Sequence, residues 1–142
     1  MMISTRGRYA TRIMVCLASQ PGWRPMTKYE IAHAETISPA YVQQLMMALR
    51  FAGLVTSHRG RAGGFSLTLP PDRVTVADIL KAVEGDLMPL PCQSTGHCER
   101  AATCPTRPLW ERAADLLDDL FTRTTVADLA ARQAAGDLGS EL

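Results

Sequence analysis

The chain has 142 residues, 46% of them hydrophobic and 20% charged, with a formal net charge of +1. That describes one compact domain, or a small domain with a helical extension. No apolar run approaches the roughly 18 residues of a membrane span, and the opening Met-Met-Ile-Ser-Thr-Arg-Gly-Arg lacks a signal-peptide core. A cytoplasmic protein with reduced thiols and no membrane partner is therefore expected.

The small net charge hides an asymmetry. Residues 1–66 hold eight Lys and Arg against Glu30 and Glu35, a net +6, whereas residues 67–142 hold seven against twelve acids, a net −5. A basic front half suggests a polyanion partner at that end.

Ser4 or Thr5 can cap a first helix to about Gln20. Ala10, Ile13, Met14 and Leu17 recur at helical spacing, and Pro21-Gly22 ends the run. Cys16 falls inside this helix, where a lone cysteine reads as a small core residue. Thr27-Lys-Tyr-Glu30 is a capping box that opens a second helix through about Ala34. Ser38 caps a third helix with Pro39 at its first position, where the missing N–H costs nothing. Val42, Leu45, Met46 and Leu49 form its buried row. Ala40, Gln43, Gln44 and Met47 face away, flanked by Tyr41.

Two short helices joined by a tight link make a helix-turn-helix, whose second helix enters the major groove. Gln43 and Gln44 suit that role, because glutamine can bond an adenine edge bidentately. Taken alone, exposed glutamines are also ordinary solvated residues. The next stretch favours the DNA reading. Leu54 to His58 and Phe65 to Leu69 alternate like strands around Arg59-Gly-Arg-Ala-Gly-Gly64. A hairpin after a helix-turn-helix is a wing, and Arg59 and Arg61 charge its glycine-rich tip. A phosphate-cradling P-loop does not fit, since no Gly-Lys-Ser/Thr follows.

Pro70-Pro71 breaks the chain, and Thr75 with Asp78 caps a fourth helix that stops at Gly85. Thr125 with Asp128 repeats that signature near the end, read here as reused capping chemistry. Between them, Thr106 or Pro108 opens a long helix with an apolar face of Leu109, Trp110, Ala113, Leu116, Leu117, Leu120 and Phe121. The winged unit is nearly complete without it, so this face is expected to pair with a second copy.

Cys92, Cys98 and Cys104 lie ahead of that helix with five residues between neighbours. Structural zinc usually takes closer cysteine pairs and four protein ligands. Three spread thiols better suit an iron–sulfur cluster, with zinc and redox thiols as the alternatives. No base-and-orienter arrangement or cofactor fingerprint points to an enzyme.

The combination resembles the iron–sulfur cluster regulator type of winged-helix repressor, the group of IscR, NsrR and RirA. The resemblance runs from Ser4-Thr-Arg-Gly-Arg-Tyr-Ala10 to the final helix. It rests on Ile37-Ser-Pro-Ala-Tyr41-Val-Gln-Gln-Leu45, Gly53-Leu-Val55, Arg59-Gly-Arg-Ala-Gly-Gly-Phe65 and the three spaced cysteines. It implies a mainly α fold with a small β-hairpin: a winged helix-turn-helix domain over residues 1–85, a cluster-binding loop over 86–105, and a dimerisation helix with a C-terminal helix over 106–142. It further implies a homodimeric transcriptional regulator, a repressor, bound to a palindromic double-stranded operator. Cys92, Cys98 and Cys104 would hold a [2Fe–2S] or [4Fe–4S] cluster. Ala40, Gln43 and Gln44 would face bases and Arg59 the minor groove, while Arg8, Tyr9, Ser38 and Tyr41 would contact or support phosphates.

One position departs from the pattern. The family's cluster regulator carries a histidine ligand where this chain has Arg107, a permanent cation that cannot coordinate iron. The acidic ligand that the nitric-oxide sensor draws from its first helix is matched here by Arg8 and Arg12. His33, Glu35, His97, Glu99 or a non-protein group remain as substitutes. A metal-free thiol-redox or partner-binding regulator is the competing expectation.

Overall fold

A computed structural model describes residues 4–85 and 98–136. Among them are six α-helices and one two-stranded antiparallel hairpin. None of these helices is long and apolar enough to cross a membrane.

Helix α1 spans Thr5–Ala18, and the Ser4 hydroxyl accepts from the amides of Arg6 and Gly7. It stops two residues short of the expected end, because Gln20, which precedes Pro21, is extended with ψ at 137°. Ala10, Ile13, Met14 and Leu17 are buried as the spacing predicts, and Val15 and Cys16 widen the face.

Helix α2, Lys28–Glu35, starts at the Thr27–Glu30 box with both reciprocal bonds formed. Helix α3, Pro39–Phe51, starts at Ser38, whose hydroxyl accepts the Tyr41 amide at 3.2 Å. Val42, Leu45, Met46 and Leu49 are each 0% exposed. This row seats α3 against α2, α1 and helix α4 (Val76–Glu84).

Strands β1 (Val55–His58) and β2 (Gly64–Leu67) pair from Val55↔Leu67 to His58↔Gly64. Phe65 also exchanges two backbone bonds with Met26, at 2.9 and 2.7 Å. The wing is thereby tied to the turn that precedes α2. Gly64 makes this possible: its φ is +141°, and a Cβ there would run into the Met26 backbone.

Helix α5 spans Arg107–Arg123 and buries no residue. Helix α6, Val126–Ala135, returns to pack on α1. The two repeated caps meet at this return. Val76 donates its amide to the Thr124 carbonyl and Val126 to the Val74 carbonyl, both at 2.9 Å. Val74 and Val126 are 0% exposed between them. The repeat is thus a pairing of two helix entries, which its local capping chemistry did not reveal.

Candidate nucleic-acid interface and cysteine loop

The expected base-reading residues lie on the outer side of α3. Ala40 and Gln44 are exposed and Gln43 is part-exposed, opposite the buried row. The N-terminal end of α3 is braced from behind. Tyr41 meets Tyr9 edge-to-face, with centroids 6.0 Å apart and ring planes at 90°. The Arg12 guanidinium lies 5.1 Å over the Tyr9 ring and bonds the Glu35 carboxylate at 2.7 Å and the Glu35 carbonyl at 3.2 Å. Arg12 therefore links α1, the end of α2 and the tyrosine pair. A sequence scan for ligands passes over this role, because Glu35 lies 23 residues away.

Arg8 is exposed one turn from the N-terminus of α1. That terminus is held by a residue the sequence reading missed. Glu84 Oε1, on the last residue of α4, accepts from the Ser4 amide at 3.1 Å, the Ser4 hydroxyl at 2.6 Å and the Gly7 amide at 2.9 Å. A carboxylate complements the positive end of a helix. Gly7 is needed for this approach, since a Cβ would sit 2.5 Å from Glu84 Oε1 and 2.7 Å from Leu80 Cδ2.

Arg59 and Arg61 stand exposed on the wing tip, where Gly63 donates to the Gly60 carbonyl at 3.0 Å. His58 and Ser66 bond across the strands at 2.8 Å, and Arg50 reaches Ser57 at 3.3 Å. These contacts join the wing to itself and to the end of α3. The outward amides of α3, the wing arginines and Arg8 are all exposed or part-exposed and all lie in the basic front half of the sequence.

Cys98 and Cys104 are free, part-exposed thiols in the segment leading to α5; Cys92 and His97 lie outside the described residues. Turns at Cys98–Ala101, Arg100–Thr103 and Cys104–Arg107 shape the segment. The Cys104 thiol is held below its ordinary range, first by the Thr106 hydroxyl at 3.4 Å and then by the Thr106 amide, with smaller help from the Arg107 amide and the Arg100 charge. Cys98 and Cys104 are sulfur donors of the kind a sulfur-bound cluster takes. The fourth position does not follow the family pattern. Arg107 donates to Glu111 at 2.6 Å and to the Ala101 carbonyl at 3.4 Å, fastening the loop to α5. Glu35 is engaged with Arg12, and no three metal-ligating side chains converge among the described residues. Cys16 is a core thiol, as expected. Burial pushes it up, Glu35 adds to the rise, and its hydrogen points at Met26 sulfur, 3.8 Å away.

Residues 3–132 match the model of the Rrf2 family, described as an iron-dependent transcriptional regulator. The chain belongs to the Rrf2 family. Among its Rrf2 relatives, the HTH-type transcriptional regulator CymR of Bacillus subtilis is 39% identical over 130 residues, covering 92% of this chain and 90% of the relative. The HTH-type regulator IscR of Vibrio campbellii is 30% identical over 129 residues, covering 91% and 77%. The solved structure of B. subtilis CymR, described as the global cysteine regulator of that organism, aligns with a TM-score of 0.81 at 37% identity, over 92% of this chain and 97% of that one. That of T. potens IscR aligns at 0.79 and 29% identity, over 100% and 94%. As an Rrf2 protein the chain is a DNA-binding winged-helix transcriptional regulator and not an enzyme.

Proposed function

We propose that this Rrf2 protein is a homodimeric repressor of palindromic operators whose DNA affinity is governed by an iron–sulfur cluster held by Cys92, Cys98 and Cys104. Ala40, Gln43 and Gln44 read the major groove. Arg59 and Arg61 reach from the wing into the minor groove, and Arg8, Tyr9, Ser38 and Tyr41 contact or support phosphates. The observation that carries this reading is where the cysteine loop is fastened. Upstream it leaves α4 just after Glu84, which holds the N-terminus of α1 and with it Arg8 and Tyr9. Downstream it enters α5 through the Cys104–Thr106 contact and the Arg107–Glu111 pair. The large side chains Leu109, Trp110, Leu116 and Leu120 of α5 are exposed, which supports pairing with a second copy.

When bound, a cluster would supply an iron centre responsive to oxygen, nitric oxide or iron supply. The chain's own part is mechanical. The three cysteines lie in the sequence between α4 and α5, so a cluster bound there would set how α5 departs from α4, hence the separation of two α3 helices that must enter grooves roughly 34 Å apart.

A second reading is a metal-free regulator that responds through its thiols. It is favoured by two free, part-exposed thiols, Cys98 and Cys104, six positions apart in the segment leading to α5, and by the likeness to the global cysteine regulator CymR. Anaerobic purification with iron and sulfide analysis separates the two. Stoichiometric iron and sulfide that vanish in Cys98→Ala and Cys104→Ala support the cluster. A colourless, iron-free protein that forms a Cys98–Cys104 disulfide by non-reducing mass spectrometry overturns it. Binding to palindromic DNA across a salt series tests the operator claim: equal affinity for all sequences would sink it.

A further inference from the structure

Helix α3 carries two large exposed apolar side chains, Met47 and Phe51, that neither the core nor the expected base contacts account for. Met47 is 61% exposed, while its neighbours Leu45, Met46 and Leu49 are 0% exposed and complete the buried row. At roughly 100° per residue, Met47 lies within about 20° of Ala40 around the helix and about 60° from Gln44. It is about 140° from Val42 and about 160° from Leu49. One apolar residue in water is ordinary. This one continues the row that reads DNA.

The spacing matches the duplex. Ala40 to Met47 is about 10 Å along the axis at ~1.5 Å per residue, close to three base-pair steps of ~3.4 Å. Phe51, 97% exposed, lies one turn further on, past the N-terminal turns that reach base edges in this docking mode. The apolar feature that the major groove offers at base edges is the thymine 5-methyl group. Methionine is unbranched and adaptable, so its thioether end can settle on such a methyl without a fixed approach angle.

We infer that Met47 is a specificity-determining residue, packing on a thymine methyl in each operator half-site within two base pairs of the pair read by Gln44. The inference rests on the proposed major-groove role of α3. It assigns the half-site an A·T-containing core, in which Gln44 takes an adenine edge and Met47 the thymine methyl.

Replacing thymine by deoxyuridine removes only that methyl, so it reads this contact directly. The full-length protein, purified anaerobically, first selects duplexes from a random pool. Each thymine of the selected site is then replaced in turn. One thymine per half-site should cost wild type about fourfold in affinity, the worth of one buried methyl. That cost should disappear in Met47→Ala and persist in Met47→Leu. Met47 is outside the core, so an unchanged melting curve should accompany the loss. If the deoxyuridine penalties are the same in wild type and Met47→Ala, the Met47 contact is refuted while α3 reading stands. If Gln44→Ala also leaves the selected sequence unchanged, α3 does not read the groove and both claims fall.

Discussion

Replacing Gly7 by alanine tests the link between the end of α4 and the start of α1. Gly7 sits in the first turn of α1, where an ordinary Gly→Ala change should stabilise by about 0.5–1 kcal/mol. Here the added Cβ would stand 2.5 Å from Glu84 Oε1 and 2.7 Å from Leu80 Cδ2, closer than real Cβ atoms come to anything. Relief by pushing Glu84 away breaks its bond to the Gly7 amide at 2.9 Å and strains the two to Ser4 at 3.1 and 2.6 Å. Overpacking costs about 1–3 kcal/mol and a lost bond to a charged group about 1.5–3 kcal/mol. The steric and electrostatic losses outweigh the propensity gain, leaving a net destabilisation of about 2–4 kcal/mol. In a chain this size that lowers the midpoint by roughly 5–15 °C. A thermal melt followed by circular dichroism measures it. Glu84→Ala should cost part of the same energy and remove most of the penalty of a subsequent Gly7→Ala, because the two residues share one contact. A Gly7→Ala protein that melts at or above the wild-type temperature would refute the reasoning. Operator affinity should fall with stability, since Arg8 and Tyr9 lie on the same stretch of α1.

Three further changes probe other joints. Gly64→Ala drives a Cβ into the Met26 backbone and should break the Met26–Phe65 pairing. Fast hydrogen exchange at both amides and loss of operator binding, with α1 to α3 still helical, are expected; unchanged protection would count against the bridge. Leu116→Asp puts a charge on the unburied face of α5 and should give a particle near 15.5 kDa by sedimentation where wild type runs at twice that. Identical sedimentation would remove α5 from the dimer contact. Asp128 is held below its ordinary value of 3.8 by the Thr125 hydroxyl and then the Thr125 amide. A depressed carboxylate stabilises above its unfolded pKa and ceases to as the pH falls through its folded one. The melting gap between wild type and Asp128→Asn should therefore be full at neutral pH and close as the pH drops below 3.8. A gap that stays constant with pH would mean that the charge plays no part.

The features visible in the chain are those whose partners lie within a turn. The boxes at Thr27–Glu30, Thr75–Asp78 and Thr125–Asp128, the Ser38–Pro39 start and the row Val42, Leu45, Met46 and Leu49 are all found as the sequence predicts. A capping bond or an apolar row depends on residues three or four apart, so the pattern itself carries the physics. The turn chemistry of Arg59 to Gly64 marks the wing in the same way. The outward placement of Ala40, Gln43 and Gln44 follows from helix phase, while their place at bases is what the family resemblance implies.

What holds those residues in place was not legible. Glu84 caps a helix that starts 80 residues earlier. Met26 pairs with Phe65, and Thr75 with Thr125. Any of several acids could cap α1, and any extended pair could form a bridge. Which one does is decided when the apolar faces of α1, α3, α4 and α6 are buried together. By itself the sequence determined the helices, the wing and the outward row of α3, because these are local solutions to backbone hydrogen bonding. Tertiary structure alone decided that α4 ends on α1 and that α6 returns beside it. Those contacts exist only once the shared core has brought distant backbone together.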